Sequence, residues 1–426
     1  MRILIQNGRV IDPASGRDEV AEVCIDAGKL LAIGSMPDSF KPDQRIDATG
    51  QIVAPGFIDL SARLREPGET QKATIASEVN AAVAGGFTAL CCPPDTAPVI
   101  DTPAVAELIM QHATAAGKAR VYCMAALTRG LGGKQISEMR ALVDAGCVAM
   151  SNAGRPLPNT LVARRAMEYA ASHNITVFLT SVDPWLGNGC AHEGPVSTRL
   201  GLQGIPAMAE SIAVARDLAL IEKTGVRAHF SQLSTLDAVR LIARARHDGL
   251  PVTADVSAHQ LHLTEMDIGE FNNNCHVIPP LRTERDRQGL RDGLKQGVID
   301  VICSDHQPHN LDAKLGPFES SEPGISALET VLPLGLRLVE DGTLDMMQLI
   351  ARLTSAPASI LGLQTGALQP GAAADVVVFD PEMYWDVRAD TLLSAGKNSP
   401  FIGWELKGRV THTFVDGRYV FQLNAG

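Results

Sequence analysis

A regular alternation of short apolar segments and amphipathic segments through the middle of the chain most constrains its fold. Apolar composition predicts buried strands at residues 52–60, 87–92, 121–127, 147–150, 175–180, 226–230, 252–256 and 298–303. Between them, helical spacing of apolar residues predicts helices at 75–84, 104–116, 136–145, 163–172, 207–223 and 236–246. Strands interleaved with helices in this way are typical of an α/β fold, a (β/α)8 barrel, whose functional residues follow the C-terminal strand ends. An open doubly wound sheet is the alternative, and the absence of a GxGxxG motif at the first strand–helix turn disfavours it.

Both ends of the chain carry a different, purely β pattern. Short alternating runs bounded by Gly and Asp occur at 3–11, 21–25 and 29–33, and again at 374–380 and 409–421. Such runs are strand and hairpin signals. Two half-sheets at opposite ends of a chain can pair into one small domain if the middle segment returns on itself.

Composition excludes several classes of protein. The 37 Lys and Arg residues against 48 Asp and Glu residues give a net charge of −11, which argues against nonspecific binding to nucleic acid or to anionic membranes. No apolar run reaches the roughly 18 residues of a membrane span, and the N-terminal apolar run is too short for a secretion signal. The eight cysteines form no CxxC motif and several lie in apolar runs, which predicts buried free thiols and a cytoplasmic protein. A thiol nucleophile at Cys91 or Cys92 is disfavoured because no histidine is near in sequence.

A specific motif follows the first predicted barrel strand. Residues 55–68 read Pro-Gly-Phe-Ile-Asp-Leu-Ser-Ala-Arg-Leu-Arg-Glu-Pro-Gly. This segment resembles the opening motif of dihydroorotases, metal hydrolases of the amidohydrolase superfamily, in which Asp-Leu-His-x-His-Leu-Arg-Glu-Pro-Gly is expected. Segments 94–101, 279–282, 304–309, 353–358 and 399–410 resemble later family segments in the same order.

The resemblance covers essentially the whole chain and implies a domain organisation. A (β/α)8 TIM barrel of the amidohydrolase type is expected at residues 53–362. A small β-sandwich formed by both termini is expected at 1–52 and 363–426.

The departures from the family pattern fall on its metal ligands. The resemblance implies a pair of divalent metals held by histidine and carboxylate side chains. The corresponding positions in this chain are Ser61, Arg63, Ala153, Thr180, His229 and Asp305. Only His229 and Asp305 match ligand types, and an arginine side chain keeps its proton and offers no lone pair. We therefore predict a degenerate metal site with no bound metal and no cofactor. The alternative is a rebuilt single-metal site in which His259 or His306 joins His229 and Asp305.

The substrate-contact positions implied by the resemblance are mixed. Arg65 and His309 match residues that hold the substrate carboxylate in the family, and Gly324 matches a backbone contact. Asp95 replaces an asparagine and would repel an anionic substrate, and Ile278 replaces another asparagine with a side chain that cannot hydrogen bond. A structural ion pair with Glu66 or a neighbour is the alternative role for Arg65.

One cation appears at a position where the family binds cations. A buried Asp305 requires a partner, so we predict that the Arg63 guanidinium occupies the place of the lost metals and pairs with Asp305. The alternative is that Arg63 points to solvent.

These observations predict a noncatalytic dihydroorotase homologue rather than an enzyme. The resemblance implies a structural role in pyrimidine biosynthesis, as a homodimer within a larger hetero-oligomer that contains the aspartate transcarbamoylase catalytic chain. The first alternative is an active dihydroorotase or another cyclic-amide hydrolase with an altered, single-metal site. A further alternative is a sensor that binds an anionic pyrimidine precursor through Arg65 and His309.

Overall fold

The computed structural model describes residues 1–423. In chain order its strands are β1 (Arg2–Asp12), β2 (Arg17–Asp26), β3 (Lys29–Gly34), β4 (Gln44–Asp47), β5 (Ile52–Pro55), β6 (Phe57–Asp59), β7 (Phe87–Cys92), β8 (Arg120–Ala126), β9 (Ala149–Ser151), β10 (Val177–Leu179), β11 (Ala191–His192), β12 (Gly204–Ile205), β13 (Ala228–Phe230), β14 (Val252–Ser257), β15 (Val301–Cys303), β16 (Val376–Asp386), β17 (Glu405–Val415) and β18 (Arg418–Gln422). Its α-helices are α1 (Ile75–Ala84), α2 (Pro103–Ala116), α3 (Met139–Asp144), α4 (Thr160–Ser172), α5 (Pro195–Leu200), α6 (Met208–Thr224), α7 (Leu236–His247), α8 (Glu284–Lys295), α9 (Val331–Glu340), α10 (Met346–Leu353) and α11 (Ser355–Leu361).

Strands from both termini form one mostly antiparallel sheet. Its order is β18-β17-β16-β5-β1-β2-β3, and β4 pairs with β1. Strand β5 joins the two ends of the chain, because it pairs with β1 on one side and with β16 on the other. One face of this sheet buries a separate apolar cluster that includes Ile3, Val23 and Val376. The predicted β domain from both termini is therefore present, and its strands are hydrogen-bonded into a single sheet.

The remaining long sheet is the predicted barrel. Parallel strands run in the order β6-β7-β8-β9-β10-β13-β14-β15, and the connecting helices pack outside them. Between β15 and β6 the ring is nearly closed, through a bridge between Ala62 and His306 just beyond the strand ends. The Arg63 amide donates to the His306 carbonyl at 2.9 Å, and the His306 amide donates to the Ser61 carbonyl at 3.1 Å. The predicted TIM-barrel fold is confirmed.

Two predicted strands are each divided in the structure. Segment 52–60 becomes β5 in the terminal sheet and β6 in the barrel, separated by Gly56. A Cβ at Gly56 would lie 2.2 Å from the Thr88 side chain, so glycine is needed where the chain passes between the two sheets. Segment 409–421 is likewise divided into β17 and β18 by a hairpin turn at Asp416 and Gly417.

The six predicted helices are present, and α5, α8, α9, α10 and α11 were not predicted. Helix α1 begins at a capping box in which Thr74 and Ser77 satisfy each other's backbone amides. Helix α8 has few apolar residues, so its pattern was weak. Two glycines allow close packing instead: a Cβ at Gly289 would lie 2.7 Å from Leu236, and one at Gly293 would lie 2.9 Å from Val239. The buried face of this helix therefore consists of two glycines, which allow close backbone approach, and two leucines, Leu290 and Leu294.

Two further predictions concern cysteines and membranes. All eight cysteines are buried free thiols, as predicted. Burial raises the pKa of Cys92 to about 12 and raises that of Cys91 well above its usual range, so neither is poised as a thiolate nucleophile. Across residues 1–423, none of the helices combines the length and the apolar character that a membrane crossing requires.

Candidate functional site

Polar side chains converge at the C-terminal ends of four barrel strands. Ser61 and Arg63 follow β6, Asp95 follows β7, Gln232 follows β13 and Asp305 follows β15. Because parallel barrel strands end on the same face, residues far apart in sequence meet here. We call these five residues the mouth cluster.

Arg63 is the centre of the mouth cluster. Its Nε donates to Asp95 Oδ2 at 2.7 Å, and its Nη1 donates to Asp305 Oδ1 at 3.2 Å. Only 15% of its side chain is exposed. Burial alone would lower the pKa of Arg63, but Asp95 and Asp305 together raise it above its usual value. The predicted pairing of Arg63 with Asp305 is confirmed, and Asp95 is a second partner that the sequence did not reveal.

Asp305 receives several donors on one oxygen. Besides Arg63, Gln232 Nε2 donates to Oδ1 at 2.7 Å and Gln307 Nε2 donates to it at 3.2 Å. The carboxylate is 2% exposed, and burial raises the pKa of Asp305 to about 6 even though Arg63 and Gln307 act in the opposite direction. The backbone here is left-handed, with φ of 46°, which turns the side chain from the end of β15 towards the barrel axis.

Gln232, rather than His229, lies in the mouth cluster. Gln232 Nε2 contacts Ser61 Oγ at 3.0 Å as well as Asp305. His229 lies within β13, fully buried, with Nδ1 2.8 Å from Thr253 Oγ1 and Nε2 2.9 Å from Asp255 Oδ2. Both ring nitrogens are therefore used inside the barrel, one layer below Gln232. Gln232 was not predicted, because the histidine of the strand is the more common type of metal ligand.

The remaining predicted metal positions do not join the cluster. Ala153 is half-buried, has a φ of 48°, and donates its amide to Ser151 Oγ at 3.1 Å. Thr180 and Ile278 line a cavity that also contacts Gln232. That cavity measures only about 30 Å³, enough for roughly one water molecule.

Arg65 and His309 contact each other on one side of the mouth cluster. Arg65 Nη2 lies 3.1 Å from His309 Nε2, while Arg65 Nη1 donates to Glu69 Oε2 at 3.0 Å and Nε donates to the Pro308 carbonyl at 2.9 Å. Burial and the adjacent Arg65 lower the pKa of His309 to about 4, so the imidazole is neutral at pH 7. The structural ion pair considered for Arg65 is present, with Glu69 as its partner rather than Glu66.

A cleft of about 170 Å³ lies beside this pair. Its charged lining consists of Arg63, Arg65, Glu69 and Asp95, two positive and two negative side chains. The arginines already donate to the carboxylates, so the cleft presents no excess positive charge to an anion.

Gly324 packs directly behind this region. Its φ is 132°, and a Cβ would lie 2.4 Å from Gln307 Cβ. Its amide donates to the His276 carbonyl, and its carbonyl accepts from Asn398 Nδ2 at 3.0 Å. Glycine is therefore required here for close packing within the protein itself.

The histidines of the single-metal alternative are directed elsewhere. His306 Nδ1 accepts the Ala327 amide at 3.0 Å, so its proton lies on Nε2, which donates to Glu78 Oε2 at 2.7 Å. His259 contacts Ser257 Oγ at 3.2 Å, and burial lowers its pKa to about 3. Neither ring forms a hydrogen bond to Asp305 or Arg63 in residues 1–423.

The donor set of the mouth cluster does not fit a divalent metal pair. Arg63 and Gln232 both direct N–H groups at Asp305 Oδ1, the kind of oxygen that a metal would need. In residues 1–423 no group of three His, Cys, Asp or Glu side chains is placed to hold a metal ion. The positive charge opposite Asp305 is supplied by the protein.

The fold is that of a barrel of the amidohydrolase type, and the chain belongs to the amidohydrolase family, which it matches over residues 52–420. Its relatives within that family are dihydroorotase-like. It is 51% identical over 418 residues to a dihydroorotase-like protein of Pseudomonas aeruginosa, covering 98% of this chain and 99% of that protein. It is 44% identical over 423 residues to a dihydroorotase of Anaeromyxobacter sp. strain K, covering 99% and 98% respectively. The L-hydantoinase structure from Arthrobacter aurescens shares the fold, with a TM-score of 0.87 at 23% identity over 99% of this chain and 96% of that one.

Proposed function

We propose that this chain is a noncatalytic dihydroorotase homologue that serves as a structural subunit of an aspartate transcarbamoylase complex in pyrimidine biosynthesis. The observation that carries the proposal is the Arg63 guanidinium, which bridges Asp95 and Asp305 where the family places metals. Amide hydrolysis in this family depends on metal to polarise the carbonyl and to supply hydroxide. A guanidinium can stabilise a negative charge but cannot generate a nucleophilic hydroxide.

The limited space at the barrel mouth supports the same proposal. The cavity beside Thr180, Gln232 and Ile278 holds about 30 Å³ and the cleft beside Arg65 about 170 Å³, whereas ligand sites commonly occupy about 300 Å³ or more. Arg65 and His309, which match carboxylate-binding positions, are occupied by Glu69, the Pro308 carbonyl and each other. A substrate would have to displace these internal contacts.

An assembly role is compatible with these changes because subunit contacts depend on packing rather than on metal ligation. The barrel core is intact, and the terminal sheet ties both ends of the chain together. The homodimer and the transcarbamoylase partner come from the family resemblance and belong to the proposal.

Co-expression tests the assembly role directly. The chain would be produced with an aspartate transcarbamoylase catalytic chain of the same organism and separated by size, with each chain alone as the control. We expect one co-eluting species of defined stoichiometry, larger than either control. Two separate species at micromolar concentration would contradict the partner assignment.

Turnover and metal analysis test the noncatalytic assignment separately. We expect no hydrolysis of dihydroorotate by the purified chain, with or without added Zn²⁺, and less than stoichiometric metal. An active dihydroorotase with a single-metal site is the second candidate, because the 44% identical Anaeromyxobacter relative is named a dihydroorotase. Chelator-sensitive turnover would establish this candidate and overturn the proposal.

A further inference from the structure

A second cavity lies far from the mouth cluster, between the barrel and the terminal sheet. It measures about 270 Å³ and is bounded by the loop before α9, the strands β16 and β17, and the segment around Leu393. Glu329, Trp385, Arg409 and Phe421 are among its lining residues. A cavity of this volume approaches the size of small-molecule sites, and it is about nine times larger than the one at Thr180.

Glu329 contributes a carboxylate with one occupied oxygen. Its Oε1 accepts the Leu393 amide at 2.8 Å and the Ser394 amide at 3.1 Å. Oε2 has no hydrogen-bond partner among residues 1–423. Burial raises the pKa of Glu329 to about 7, although the two amides and, at longer range, the charge of Lys397 act against the shift. A carboxylate in this position would be stabilised by a cationic group placed against its second oxygen.

Arg409 contributes a positive charge to the cavity and lies over the aromatic ring of Trp385. Its guanidinium stacks on Trp385, with Cζ 4.9 Å from the ring centroid. It is half-buried, and no side chain or carbonyl in the described part of the chain accepts a hydrogen bond from it. Stacking leaves the edge of a guanidinium free, and that edge matches a carboxylate in bidentate geometry.

Glu329 and Arg409 line the same cavity without forming an ion pair with each other. Two half-buried groups of opposite charge that remain apart favour an occupant carrying both complementary charges. Neighbouring aromatic surface on Trp385 and Phe421 would cover an apolar part of the same molecule.

We propose that this cavity is a binding site for a small zwitterion of the α-amino acid class. The ligand carboxylate would pair with Arg409, and its ammonium group would pair with Glu329. This proposal is independent of the proposed function, because no residue of the mouth cluster contributes to it.

Titration calorimetry of the full chain with a panel of free L-amino acids tests the proposal, with succinate and a diamine as ligands of a single sign of charge. We expect at least one amino acid to bind and both comparison ligands to bind more weakly. Arg409→Met and Glu329→Gln should each weaken that binding by about tenfold or more. Arg409→Lys, which keeps the charge but loses the fork, should have an intermediate effect.

Lys407→Met is the matched control. Lys407 lies on the same strand and pairs with Glu340 and Glu382, so its loss removes a charge without touching the cavity. Binding should survive in this variant. A panel without any bound amino acid, preferential binding of succinate, or amino-acid binding unchanged in both Arg409→Lys and Glu329→Gln would each overturn the proposal. Unfolding curves identify any variant that fails to fold. If Arg409→Met fails to fold, the binding measured for Arg409→Lys and Glu329→Gln decides the test.

Discussion

Asp305 and Glu78 are two buried carboxylates whose pKa values are shifted in opposite directions. They are close in space, because the residue after Asp305 is bonded to Glu78. Asp305 faces the barrel mouth, while the next residue, His306, turns inward and bonds to Glu78. The pKa of Asp305 is raised to about 6, because burial outweighs Arg63. Burial also acts to raise the pKa of Glu78, but His306, Ser394 and Ser77 lower it overall.

The difference lies in how the donors are distributed. Glu78 Oε2 accepts from His306 and Ser394, and Oε1 accepts from Ser77 and the Ala395 amide. Asp305 receives all three of its side-chain donors on Oδ1. Hydrogen-bond donors on both oxygens stabilise the ionised form of a carboxylate better than three donors that share one oxygen. Glu78 is therefore held as an ionised part of the core, whereas Asp305, which is also affected by the like charge of Asp255, is less well stabilised as an anion.

The largest effect is expected at Glu78. Glu78→Ala should lower the free energy of unfolding by about 3–5 kcal/mol, because it leaves His306, Ser394 and a backbone amide without their acceptor in the core. Urea unfolding at pH 7 measures the change. Glu78→Gln, which keeps one acceptor, should cost less, and a loss below about 1 kcal/mol for the alanine variant would contradict this account.

Removal of Arg63 should have a somewhat smaller effect. Arg63→Met leaves two carboxylates near each other, but Asp95 retains 21% side-chain exposure and can be partly solvated. We expect a loss of about 2–4 kcal/mol at pH 7. The loss should shrink below pH 6 as Asp305 takes up a proton, and an equal loss at pH 5 and pH 7 would show that only packing had changed.

The pH dependence of stability should separate the two carboxylates. Asp305 has a folded pKa near 6 against roughly 3.9 when unfolded, so the native state binds more protons between these values. Its ionisation therefore makes stability fall as pH rises from about 4 to 6, and Asp305→Asn should remove about 1–3 kcal/mol of that fall.

Glu78→Gln should change the slope in the other direction. The lowered pKa of Glu78 means that its contribution is present above the unfolded pKa and is lost as pH falls through the folded one. Unfolding curves of wild type and both variants across this range provide the measurement. If stability depends on pH in the same way in all three proteins, the proposed difference between Asp305 and Glu78 is wrong.

The smallest effect is expected at an exposed pair of the same charge types. Arg164 and Glu168 form an i,i+4 ion pair on α4 with 59% and 45% of their side chains exposed. Arg164→Ala should change the free energy of unfolding by no more than about 0.5 kcal/mol at physiological salt. A loss as large as that of Arg63→Met would mean that burial is not the source of the contrast.

Much of the barrel could be predicted from sequence because periodicity reports burial directly. Strand β7 and helix α1 begin and end where the pattern indicated. The division at Gly56 could not be predicted, since both halves of segment 52–60 are equally apolar and only the contact with Thr88 distinguishes them. Helix α8 was missed for a related reason, because half of its buried face consists of glycines that face α7 and only two leucines give an apolar signal.

One contact of the candidate site could be predicted from the sequence. A buried Asp305 needs a positively charged partner, and Arg63 is the cation at a neighbouring strand end, so their pairing was expected. Asp95 was expected only to repel a substrate, and its bond to Arg63 depends on how two adjacent strand ends are oriented. Gln232 lies two residues beyond the end of β13, a spacing that could have indicated a side chain at the barrel mouth. His229, the residue that was predicted instead, lies within the strand and deeper in the barrel.

The bridge made by Arg63 bears on how readily a metal could be accommodated at this barrel mouth. A histidine introduced at position 61 or 180 alone would lie on the same face of the barrel as a permanent positive charge that repels a divalent ion. Removing that charge first would leave the carboxylates of Asp95 and Asp305 without their cationic partner in a mostly buried site, which destabilises the fold. The first order of substitution gives a site that repels the metal and the second gives a less stable protein, so a metal site here requires both changes together.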